Sequence, residues 1–96
     1  MIPERLEREM GYTPAEFMAT LPRALHGYDV ALRTDGADIY LDGQLIQIRI
    51  GVEQERRIAL IRLPYIHVLI DFAELSAPQR TRLLHQFDLY FKKGGG

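Results

Sequence analysis

The three histidines are the residues best equipped for chemistry in this sequence, and each stands near a potential helper. His85 and Asp88 are helical neighbours, close enough for a carboxylate to orient an imidazole as a general base. Phe87 and Phe91 occupy the opposite side of that helix, so His85 faces solvent, where a lone subunit offers no pocket. His67 and Asp71 alternate onto one face of a strand, but at about 3.3 Å per residue they stand about 13 Å apart. Zinc needs three or four ligands converging at about 2 Å, and no ligand-spaced cluster such as HExxH occurs. His26 and Tyr28 sit where the first helix meets the first strand, and a cleft at a sheet end is a usual place for a small ligand. Ser76, the single serine, stands in a helix-capping context, and there is no GxSxG, Walker loop or dinucleotide fingerprint. No metal and no cofactor is expected.

These side chains must be positioned by one small domain, since 96 residues suffice for a single core and not for two. The chain is 47% apolar and 26% charged, as soluble globular chains are. Twelve Lys and Arg against 13 Asp and Glu give a net charge of -1, so no global field draws the protein to nucleic acid or to an anionic membrane. The absence of cysteine excludes disulfides, thiolate nucleophiles and cysteine-ligated zinc, and fits a reducing cytoplasm. The opening MIPERLEREMGYTP has charges where a signal peptide needs an apolar run, and no stretch of about 18 apolar residues is present. A cytoplasmic protein without membrane contact is expected.

In TPAEF, Thr13 can cap a helix, Pro14 suits its first position, and Glu16 completes a capping box. Tyr12 and Phe17 are placed for a hydrophobic staple, and Pro22 is expected to end the helix after about Thr20. PERLEREM before it reads as loose, or as a short charged helix stopped by Gly11. Asp35-Gly36 and Asp42-Gly43 each separate alternating segments and read as two-residue hairpin turns. They predict Leu32 opposite Ile39 and Val30 opposite Leu41, with Arg33 meeting Asp38, and then Ile39 opposite Ile46 and Ala37 opposite Ile48. A turn at Gln54-Glu55 would set Ile50, Ile48 and Ile46 against Ala59, Ile61 and Leu63. A further turn at Pro64-Tyr65 would start a strand with Ile66, Val68, Ile70 and Phe72 on the core face. SAPQ repeats the capping pattern, and Leu83, Leu84, Phe87, Tyr90 and Phe91 form the apolar side of a last helix. Lys92 and Lys93 suit its C-terminus, Gly94 its stop, and residues 94–96 a flexible tail. The predicted fold is α+β: an N-terminal helix, a five-stranded antiparallel meander and a C-terminal helix packed on one face of the sheet.

The other sheet face ought then to be polar. Tyr40, Leu45, Ile58, Leu60 and Leu69 all point there, with Leu60 expected opposite Leu69. Contiguous apolar surface on a small domain marks an interaction site. The leading expectation is a non-enzymatic domain that forms a homodimer or docks a protein partner through these five residues, unless the N-terminal segment folds over them. A small-ligand or enzymatic pocket near His26 and Tyr28 is the second reading. Weak nucleic-acid binding is the third, resting on Arg56, Arg57, Arg62, Arg80, Arg82, Lys92 and Lys93 with Tyr40 and Tyr65, although acids are interspersed among them.

The segments GYTPAEFMATLPRAL and FDLYFKKGGG resemble those of a group of small, uncharacterised proteobacterial proteins of about this length. The resemblance implies a bacterial cytosolic protein, and it carries no catalytic signature and no functional residue.

Overall fold

The structure is a computed structural model that describes residues 2–92, and the expectations for Lys93 and for residues 94–96 lie outside the described residues. Its elements follow in the order β1 (Arg5–Met10), α1 (Pro14–Ala24), β2 (Asp29–Arg33), β3 (Gly36–Leu41), β4 (Gln44–Ile50), β5 (Gln54–Ile58), β6 (Ile61–Asp71) and α2 (Ala77–Tyr90). The fold is α+β, with six strands instead of five. They are arranged β1-β6-β4-β3-β2, with β5 paired to β6, and every pairing is antiparallel.

The additional strand is β1, formed by residues read from the sequence as a charged helix or a loose segment. RLEREM also alternates, and β6 has an open edge for it to pair with, from Arg5 opposite Asp71 to Met10 opposite Ile66. Pairing satisfies that edge and turns Leu6, Arg8 and Met10 toward the helices. Arg8 then reaches α2, where its Nη1 donates to Asp88 Oδ1 at 2.5 Å.

The second hairpin has the predicted register, with Ile39 opposite Ile46 and Ala37 opposite Ile48. Asp42 and Gly43 both have positive φ, 49° and 77°, as a primed two-residue turn requires. The first hairpin is offset by two residues: Val30 faces Ile39, Leu32 faces Ala37, and the turn is Thr34-Asp35. An offset of two preserves the faces. Gly36 is not a turn residue but lies in β3 at φ 147°, where a Cβ would stand 1.8 Å from the carbonyl oxygen of Ile48. Leu32, expected in the core, is half exposed at the sheet edge.

The larger correction concerns β4 to β6. Ile50 pairs with Val68, while Gln54 pairs with Tyr65, so residues 51–53 oppose only 66 and 67. That one-residue excess is a β-bulge, and it inverts the alternation: even residues face the helices in β4 and face away from them in β5. The turn falls at Ala59-Leu60, and β6 runs unbroken through Pro64. Pro64 is accommodated because in this ladder its missing N–H would point away from β5, toward a free edge.

Ile66, Val68, Ile70 and Phe72 do face the helices and are buried with Ile39, Ile46 and Ile48 in a single core. Both helices open with capping boxes, Thr13 with Glu16 and Ser76 with Gln79. Pro22 does not end α1, which continues to Ala24: the proline occupies the exposed side while Leu21, Ala24 and Leu25 are buried opposite it. Phe91 stacks on Phe17 at 4.7 Å and meets Tyr12 edge-on at 5.4 Å, which anchors the chain just after α2 ends at Tyr90. Tyr90 itself is partly exposed rather than part of the core.

Candidate functional site

Because the helices cover only the body of the sheet, β5 and the first half of β6 project as a two-stranded arm, and the molecule is 47 Å long but only 19 Å thick. Pairing across the arm sets Ile58 opposite Ile61 and Arg56 opposite Leu63. These residues share a face, the one that carries Tyr65, His67 and Leu69 further along β6. Ile58, Ile61 and Leu63 are 55%, 58% and 45% exposed, and Leu60 at the tip is fully exposed. Val52 in the bulge is exposed as well. The reverse face is charged: Arg57 Nε lies 3.4 Å and Arg62 Nε 3.9 Å from Glu55 Oε1. The arm is therefore amphipathic, with its apolar face turned away from the helices.

At its root the arm is tied to the body. Arg56 Nη2 donates to Glu9 Oε1 on β1 at 2.6 Å, and its guanidinium lies 4.7 Å from the centre of the Tyr65 ring. These contacts fix the direction of the hairpin. A shallow depression of about 350 Å³ lies on the body beside it, with Leu69, Val68 and His67 on its floor and Glu7 and Arg49 on its two sides.

The five residues singled out in the sequence do not form one patch. Tyr40 and Leu45 are cross-strand partners and both are exposed. They lie at the far end of the sheet, roughly 40 Å along the strand direction from Leu60. Ile58 and Leu60 belong to the arm. Leu69 lies between these groups, opposite Arg49 and Glu7 rather than Leu60. Ile61 and Leu63, which turns at Gln54-Glu55 and Pro64-Tyr65 would have placed on the core face, are in fact on the outer apolar face because β6 runs unbroken through Pro64. The N-terminal segment pairs with the edge of β6, so it does not cover this face.

At the junction of α1 and β2, His26 and Tyr28 both have neighbours from the described residues. The His26 ring packs edge-on against Tyr90 at 5.7 Å, and Gln86 Nε2 donates to the carbonyls of Ala24 and His26, each at 2.9 Å. Tyr28 packs against the core. His67 faces Glu9 across the strand pair, and its Nε2 is 4.0 Å from Glu9 Oε2. Asp71 accepts from the Ala73 amide at 2.9 Å. Asp88, the expected partner of His85, instead binds Arg8. Among the described residues no three His, Asp or Glu side chains converge as metal ligands would, and no helix is long and apolar enough to cross a membrane.

The outer face also holds a clamp that includes the expected Arg33–Asp38 contact, made diagonally because Arg33 pairs with Gly36. Asp38 lies between Arg33, whose Nε donates at 2.7 Å, and Arg49, whose Nη2 donates at 2.7 Å. The hydrogen bond from Arg33, then that from Arg49, holds the Asp38 carboxyl below its ordinary value. A lowered folded-state value means stability that is present above the unfolded value, near 4, and is lost as pH falls through the folded one. Asp38→Asn is expected to cost about 1–2 kcal/mol at neutral pH, because charge-assisted bonds are lost and Arg33 is half solvated. The gap between variant and wild type should close below about pH 4 in urea titrations, and a gap unchanged at pH 2.5 would contradict the clamp.

The chain matches no family model, and no curated protein or solved structure matches it either.

Proposed function

We propose that this chain is a non-enzymatic, cytoplasmic protein-interaction domain whose docking element is the β5–β6 arm together with the adjoining outer face of β6. The observation that carries the proposal is a projecting hairpin with four large aliphatic side chains exposed on one side and at its tip, none of them covered by the described residues. Folding leaves these residues in water, so their contribution comes on association, where burying an aliphatic side chain is worth about 1.5–3 kcal/mol. The arm's edges favour contact through its face: Pro64 removes a donor from one edge, and Arg57 and Glu55 flank the other. A two-stranded ribbon also has a shape that enters a nucleic-acid groove. The three arm arginines, however, are already engaged by Glu9 and Glu55, which leaves little cationic charge to hold phosphates and favours a protein partner.

Trimming the arm separates docking from folding. Arg56 and Leu63 already pair, so residues 57–62 can be replaced by Asn-Gly without disturbing the ladder below. The trimmed chain should unfold with a midpoint within a few degrees of the full chain and lose all association. A loss of more than about 3 kcal/mol of stability would show instead that the arm is part of the folding unit.

A further inference from the structure

The residues flanking the apolar line on β6 identify its occupant. Ile61, Leu63, Tyr65, His67 and Leu69 follow one another on the outer face of a single strand. On one side lies β1, which presents Glu7 opposite Leu69 and Glu9 opposite His67. On the other lie β4 and β5, which present Arg49 opposite Leu69 and Arg56 opposite Leu63. At the level of Leu69 acid thus lies on the β1 side and base on the β4 side. Beyond it Arg5 pairs opposite Asp71, and Arg56 already reaches Glu9 across the line, over the Tyr65 ring. Glu7 is exposed and has no cationic partner among the described residues.

Resting on the docking reading above, we infer that the arm and outer face bind a second copy of this chain, face to face, with the twofold axis running along β6. Rotation about that axis sets each apolar residue of β6 against its own counterpart. It also exchanges the flanks, so that Glu7 of each copy lies over Arg49 of the other. The alternative twofold axis, across the strands, would place acidic flank on acidic flank. Packed sheets lie about 10 Å apart, a distance that a glutamate and an arginine span together. The footprint is one 11-residue strand long and three strands wide, on the order of 500 Å² per copy. The total of about 1,000 Å² is at the lower bound for a specific interface, the size class of reversible complexes.

Because the chain has no cysteine, single-cysteine variants report this geometry directly. Leu63→Cys and Leu69→Cys should each be joined into a covalent dimer by a short bis-maleimide, whereas Leu45→Cys should not, either alone or mixed with Leu63→Cys. Glu7→Lys should weaken dimerisation at least tenfold while leaving the monomer's unfolding midpoint unchanged, since Glu7 supports nothing within one copy. Linkage of Leu45→Cys to Leu63→Cys would overturn the axis assigned here. A wild-type chain that stays monomeric at several hundred micromolar would overturn the second copy as occupant. The docking reading fails separately, if trimming the arm unfolds the body.

Discussion

Gly36→Ala is expected to cost about 4 kcal/mol or more, enough to unfold a large share of a domain whose total stability is on the order of 5–10 kcal/mol. Two effects add at this position. The backbone has φ 147°, which L side chains rarely adopt, and the new methyl would enter the carbonyl of Ile48, whose C and O lie 2.7 and 1.8 Å from the ideal Cβ. Neither can relax cheaply, because Gly36 pairs with Arg33 on one side and Arg49 on the other. Gly43→Ala is the control. It has positive φ but nothing within 4 Å of its Cβ, so its cost should be only about 1 kcal/mol. Urea unfolding of the two variants separates steric overlap from backbone preference, and equal losses would contradict this account.

The second large effect is on association. Replacing both Ile61 and Leu63 with glutamate should weaken self-association at least ~100-fold, since four aliphatic side chains across the dimer become carboxylates facing one another. Stability of the single chain should change by no more than about 0.5 kcal/mol per site, because both residues are about half exposed and outside the core. This combination distinguishes an interface from a packing defect, which would lower the unfolding midpoint as well. Dilution calorimetry combined with thermal unfolding reads both quantities.

The parts of the fold that were legible are those in which local chemistry and pattern agree. Asp42-Gly43 carries a turn type in its composition, and the alternation on either side gives one register. Thr13 with Glu16 and Ser76 with Gln79 mark helix starts by side chains that bond the backbone locally. Asp35-Gly36 carries the same signal but serves another purpose: the close approach of the Ile48 carbonyl is a tertiary constraint that the local sequence does not record. RLEREM satisfies both a helical and a strand pattern, and the choice was made by the edge of β6, some sixty residues away.

The bulge was the least legible feature. Gly51 is its one local mark, and Ala59-Leu60 resembles no preferred turn, with Ala59 held at φ 54°. Because the turn falls at Ala59-Leu60 instead of Pro64-Tyr65, Ile61 and Leu63 join the alternation of β6 and pass from the expected core to the arm's exposed side. Tyr40, Leu45, Ile58 and Leu60 were read correctly as exposed, because an apolar residue on the wrong side of an alternating strand is visible without knowing the bulge. Their distribution between opposite ends of the molecule depends on it. The contacts at His26 were illegible for a different reason: Tyr90 and Gln86 reach it from the far end of the chain.

Sedimentation equilibrium of the full chain over about 1 to 500 µM reads self-association without any substitution, across the affinities expected of a small interface. The account predicts a monomer at the lowest concentration and a dimer at the highest, with the Ile61→Glu, Leu63→Glu chain monomeric throughout. A double-glutamate chain that dimerises as the wild type does, or a wild type that remains monomeric across the range, would contradict it.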